Sequence, residues 1–308
     1  MLQEIKQILQ NLTSATNWSV CVLQITSSTI NGTKYLSREI ILEPAGKTEE
    51  FISEIANRYI GEKGCFDSLF NDVSEYDGSA NGKTIYWLKS DSQLIEKEYN
   101  DLIASLSTPN REINPFEMKT RASVISGTIK TEDETVPIKL ISMQNPITLM
   151  KHRYLHSNGK FKELSDKVLT LRPTIDVMIV GETIYLFTLA GENLFNMERS
   201  YKALSNDYIA QIGNTGIIAN IECFNAVAST GHNPRRFVSY NQAHLEKLKN
   251  VRTRKRIAEK FSIPLKDGLF DASGDGAAER IVKILCNKGM VDPFENMPME
   301  VPSAKKWE

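Results

Sequence analysis

The chain has 308 residues, 41% hydrophobic and 24% charged, with a formal net charge of −1. That length supports one large or two ordinary domains with real cores, and the composition excludes a disordered chain. No apolar run exceeds four residues, as at Val20 to Leu23, which excludes a membrane span of about 20, and the near-zero charge leaves any charge-driven partner to a local patch.

Residues 1–12 read as a helix, because Leu2, Ile5, Ile8, Leu9 and Leu12 share one face. Glu4 and Lys6 interrupt this stretch, where a secretory signal needs roughly 7–15 unbroken apolar residues. With no signal and no span, the expectation is a cytoplasmic protein. Residues 18–26 are rich in β-branched and aromatic side chains and read as a strand. Asn31-Gly32 is a turn signal before a returning strand at 35–42. Pro44 and Gly46 break the chain. A helix follows with Phe51, Ile52, Ile55 and Tyr59 inward, ended by Gly61 and Gly64. Residues 71–82 read as a loop, 85–88 as a short strand, and 92–106 as a helix with Ile95, Tyr99, Leu102, Ile103 and Leu106 as its stripe.

Pro109 and Pro115 mark the expected domain boundary, since proline disfavours helix before it and removes a donor. This gives an N-terminal α+β domain over 1–110, suited to protein interaction, and a second α+β domain over 111–308. The second opens with strands at 122–129 and 135–143, joined through Glu132, Asp133 and Glu134. Asn158-Gly159 is another turn. Strands are expected at 168–171, 175–180 and 183–189, the last two joined by Gly181-Glu182. Helices are expected over 193–212, 216–229, 241–261 and 277–287. Pro293, Pro298 and Pro302 suggest an irregular tail. The fold class is therefore α+β: a mixed N-terminal part, then a sheet rich in β-hairpins with C-terminal helices.

Four constellations bear on chemistry. His152 and His156 lie four apart, a metal-pair spacing on a helix, but their segment reads as extended and they are expected as surface histidines. Asp271, Ser273, Asp275, Gly276 and Glu279 resemble part of a calcium loop. Val282 stands where the closing acid is needed, so a turn whose acids cap the next helix is the simpler reading. Asp176 and Glu182 suit the paired acids of a metal-dependent nuclease, but Ile184 occupies the place of its lysine. Cys21, Cys65, Cys223 and Cys286 form no CxxC motif and read as buried free thiols. No catalytic residue, cofactor or metal ligand is assigned.

The fourth constellation is the most informative. Arg235, Arg236, Lys247, Lys249, Arg252, Arg254, Lys255, Arg256 and Lys260 are opposed only by Glu246 and Glu259. The segment is thus +7, leaving −8 for the rest of a chain of net −1. Leu245, Leu248, Val251, Ala258 and Phe261 supply an apolar seam that lets the helix pack while its cations face outward. Such a face suits the phosphates of duplex DNA, whose neutralisation releases counterions. An anionic membrane surface or an acidic protein partner would also be met by it.

Residues 159–171 lead into Ile175-Asp176-Val-Met-Ile-Val-Gly181-Glu-Thr-Ile184-Tyr-Leu-Phe187, and Phe195 follows in a helix. This succession, over about residues 120 to 260, resembles the B-protein family of the Kiwa anti-phage defence system. The resemblance implies a DNA-binding effector that forms a homodimer, works with a membrane-embedded A protein at the inner membrane, and interferes with phage DNA replication or late transcription. The family offers no catalytic residues to carry over. Lys119 and Arg121 are further cations that a DNA surface could use. The competing readings are a metal-dependent nuclease and a membrane-complex scaffold that does not touch DNA.

Overall fold

The computed structural model describes all residues except 1, 29–31, 44–45, 61–68, 73–83, 115–117, 131–133, 144–153, 158, 164–170, 293–294, 296 and 301–308. Among the expected features, Asn31, Pro44, Gly61, Gly64, Cys65, Pro115, Glu132, Asp133, His152, Asn158, residues 168–170, Pro293, Pro302 and most of the 71–82 loop lie outside this set. The chain divides into two compact units after Asn196.

The first unit begins with α1 (Leu2–Gln10), β1 (Thr16–Ser28), β2 (Gly32–Ile40), α2 (Lys47–Ile60), β3 (Leu69–Asp72) and β4 (Thr84–Lys89). It continues with α3 (Glu96–Ser107), β5 (Thr120–Lys130), β6 (Thr135–Met143), β7 (Tyr154–Ser157), β8 (Lys160–Glu163), β9 (Val177–Val180), β10 (Thr183–Leu186) and α4 (Ala190–Leu194). Eight strands form one sheet in the order β2-β1-β5-β6-β9-β10-β4-β3, while β7 and β8 make a separate hairpin. The protein is α+β, as its element pattern implies.

Strand alternation explains how this sheet is covered on both faces. The row Val20, Ile125, Leu140, Met178, Tyr185 and Trp87 runs across neighbouring strands. It packs in one cluster with Ile5 and Leu9 of α1 and Ile52 and Ile55 of α2. The alternate row, Cys21, Val124, Ile141, Val177 and Leu186, faces the other way. On that side the Ser37 hydroxyl donates to the Ser105 carbonyl of α3, and the Tyr35 hydroxyl donates to the Leu194 carbonyl of α4 at 2.6 Å. Both faces are thus apolar, which is why these strands read as near-continuous hydrophobic runs.

The division expected after residue 110 does not coincide with a division of the structure. β1 and β5 are hydrogen-bonded neighbours from opposite sides of that point. Pro109 follows the end of α3 without ending a sheet whose partners are distant in sequence.

The second unit contains α5 (Met197–Gly213), β11 (Ile218–Ala219), α6 (Ile221–Ala228), α7 (Asn233–Arg236), α8 (Gln242–Leu248) and α9 (Val251–Lys260). β12 (Leu265–Lys266), β13 (Leu269–Asp271), α10 (Ala277–Leu285), β14 (Gly289–Val291) and β15 (Pro298–Glu300) complete it. Phe224, Phe237, Leu245, Leu248, Phe270, Ile281 and Leu285 belong to its core.

Here the periodicity misses the breaks. Asn196, at φ 50°, separates α4 from α5 within the helix expected over 193–212. Asn220, at φ 55°, delays α6, and the residues before it pair in parallel with β13 instead of extending the helix. Asparagine tolerates this left-handed conformation better than most residues. The tail is more regular than its prolines suggest, since β15 pairs with β14. Cys21 and Cys286 are buried free thiols as expected, but Cys223 is exposed on the outer side of α6.

Candidate nucleic-acid interface

The basic stretch expected as one helix over 241–261 is two. Asn241 caps α8 by accepting from the Ala243 amide. The Asn250 carboxamide oxygen accepts from the Arg252 amide at 2.9 Å and the Thr253 amide at 3.2 Å, starting α9 anew. These bonds satisfy amides that a helix N-terminus otherwise leaves open.

The nine cations divide into three kinds. Arg254 is 6% exposed. Its guanidinium donates to the Leu248 carbonyl at 2.8 Å, the Lys249 carbonyl at 3.2 Å and the Gly268 carbonyl at 2.8 Å. Leu248 and Lys249 end α8, so Arg254 takes up carbonyls a helix C-terminus leaves open and ties them to the β12–β13 turn. It is a joint between elements, and phosphate cannot reach it.

Arg235 and Arg236 are half-buried. Arg235 lies 5.6 Å from the centre of the Tyr201 ring, a cation–π arrangement. Arg236 pairs with Glu279 at 2.9 Å and also donates to the Asn233 side chain. Desolvation pushes the Glu279 carboxyl up, yet the hydrogen bond and charge of Arg236, with Lys283, outweigh it and hold the group below the usual carboxylate range.

The third kind is exposed: Lys247, Lys249, Arg252, Lys255, Arg256 and Lys260. Lys249 pairs with Glu246 at 2.7 Å. Arg252, Lys255, Arg256 and Lys260 follow three–four spacing and share one side of α9. Arg254 and Ala258, also four apart, are buried on the other side. Val251, expected in the apolar seam, is 48% exposed instead.

The remaining candidates are placed as follows. Lys119 is exposed in the first unit, where its amide donates to the Gln24 side chain. Arg121 lines a cavity of that unit. The Asp176 carboxylate accepts from the Met143 amide at 2.7 Å and the Thr188 hydroxyl at 2.6 Å, so it clamps the end of β6 to the segment after β10. Glu182 sits in the exposed turn at the far end of β9, about 13 Å of strand away at 3.3 Å per residue. The two acids do not converge.

Asp271 accepts from the Asn220 side-chain carboxamide at 2.7 Å and from the Ser273 hydroxyl and backbone amide at 2.7 and 3.0 Å. The Ser273 hydroxyl and amide, then Asn220, hold its carboxyl down at about 2. The expected acidic cap of the next helix is absent: Gly276 is the N-cap of α10, with no side-chain bond. His156 lies in β7, opposite Phe161, where the backbone is extended rather than helical. Among the described residues no three His, Cys, Asp or Glu side chains gather as a metal site, and no helix is long and apolar enough to cross a membrane.

The fold and this surface define an α+β protein with a sheet-bearing unit and a helical unit that presents a cationic helix. Residues 129–291 match the family described as Kiwa protein KwaB-like. The match spans more than half of the 308 residues, and the chain belongs to that family, which makes it a component of the Kiwa anti-phage defence system. No curated protein and no solved structure matches it.

Proposed function

We propose that this protein is a non-catalytic effector that binds duplex DNA without sequence preference and obstructs enzymes replicating or transcribing phage DNA. In this reading it acts as a homodimer with the membrane-embedded A protein of the system, which supplies the attachment to the inner membrane. The observation that carries the reading is the outer side of α9. Arg252, Lys255, Arg256 and Lys260 are all exposed there, backed by a buried side that fixes the helix. Cations on a rigid element bind a phosphate backbone without reading base edges. The engaged carboxylate of Asp176 supports obstruction over cleavage, because a nuclease needs that acid open to a metal.

Fluorescence anisotropy of a labelled duplex across a salt series tests this. The wild type should bind, with affinity falling steeply as salt rises. An Arg252/Lys255/Arg256→Ala variant should bind more weakly, its log–log slope shallower by about 0.9 for each phosphate it no longer neutralises. Absence of binding at low salt, or an unchanged slope in the variant, would sink the proposal. Cutting that depends on Mg²⁺ would replace it with the nuclease reading.

A further inference from the structure

The first unit holds a cavity of about 640 Å³ whose lining includes two arginines, Arg121 and Arg172, against one carboxylate, Asp176. Among the described residues the lining is therefore net positive. Asp176 already accepts two hydrogen bonds. Arg172 donates to the Met143 carbonyl, which fixes it and uses one of its five N–H donors. Arg121 is exposed and has no hydrogen bond or ion pair among the described residues.

The position of Arg121 is built by a defect in the sheet. Leu23 pairs with Ala122 and Gln24 with Thr120, so Arg121 is an extra residue in β5 without a partner on β1. Strict alternation would send its side chain to the face covered by α1 and α2, opposite to Ala122. A bulge breaks that alternation and re-aims a side chain. Arg121 instead shares a cavity with Ile25 and Ser27 of β1 and with Met143, which pairs with Ala122. These three belong to the other face, as does Asn193 of α4. The bulge thus brings a cation with no partner among the described residues to a site that already holds a second one.

We propose that this cavity binds a nucleoside 5′-phosphate. Arg121 and Arg172 hold the phosphate as charge-assisted donors. Ser27 and Asn193 offer polar groups, and Ile25, Met143 and Ala190 give an apolar wall for the base and sugar. The volume suits an organic ligand better than a bare inorganic ion. The proposal does not rest on duplex binding by α9, since the two sites use different units. Two sources carry the same chemistry: a free nucleotide, or the 5′-phosphorylated end of a DNA strand.

Calorimetry on the full chain tests it with deoxyadenosine 5′-monophosphate, deoxyadenosine and inorganic phosphate. The monophosphate should bind at least about tenfold tighter than either fragment. Arg121→Ala should lose about tenfold in affinity for it. The melting temperature should not change, because Arg121 supports no other group among the described residues. No heat with millimolar monophosphate, equal binding of inorganic phosphate, or an Arg121→Ala protein that binds like wild type overturns the proposal. The source is separated by titrating 5′-phosphorylated and 5′-hydroxyl tetranucleotides into the Arg252/Lys255/Arg256→Ala variant. A preference for the phosphorylated oligomer identifies strand ends. Equal affinity, with monophosphate binding intact, identifies the free nucleotide.

Discussion

Arg254 and Arg252 differ by two positions and by almost everything else. Arg252 is exposed, whereas Arg254 is buried against three carbonyl oxygens. A charge count treats them alike, and so overstates the phosphate-binding surface. The distinction was legible in the spacing: position 254 lies three after Val251 and four before Ala258, inside the expected apolar seam. A cation in a seam reads as a fixed group once burial is considered alongside charge. Arg254→Ala leaves the Leu248, Lys249 and Gly268 carbonyls without their donor. It should cost about 2–4 kcal/mol of stability, read as a lower urea midpoint. DNA affinity measured where the variant remains folded should be unchanged. The converse pattern, unchanged stability with weakened DNA binding, would place Arg254 at the phosphate surface after all.

At the level of elements, the apolar period located the helices and missed where they stop. Residues 241–261 keep a helical pattern throughout, yet Asn250 ends one helix and begins another. The competing influence is local: a carboxamide that captures two backbone amides stabilises a cap as well as a continuous helix would stabilise the same peptide groups. Asn196 and Asn220 act at the other missed breaks by taking left-handed backbone. Strands were more readily seen, because both faces of the large sheet are apolar and its runs are bounded by turns. Their pairing was not, since β1 meets β5 about a hundred residues along the chain and nothing local encodes that. Asn250→Ala should destabilise the protein by about 1–2 kcal/mol, measured by urea unfolding. Asn250→Asp, which keeps the accepting oxygen, should recover most of the loss. If both variants unfold like wild type, the cap contributes nothing and the break has another cause.

The whole molecule carries a charge of −1, so its overall field does not draw it to DNA, and attraction must come from where cations are concentrated. The imbalance between the basic segment and the acidic remainder was fully legible in the sequence; the side of α9 that meets solvent was settled by packing. This separates a patch effect from a net-charge effect. Glu259 is exposed on α9, three residues after Arg256 and next to Lys260, and so weakens the cationic side from within. Glu96 is exposed on α3 of the other unit. Glu259→Lys and Glu96→Lys change the net charge by the same amount. If duplex DNA meets the outer side of α9, only Glu259→Lys should tighten binding at low salt, by about fivefold, with a log–log salt slope steeper by up to about 0.9. A gain of affinity cannot be produced by partial unfolding, which makes this comparison stricter than any loss-of-charge variant. Equal gains from the two substitutions would mean that DNA responds to total charge. No gain from Glu259→Lys would move the DNA surface away from α9.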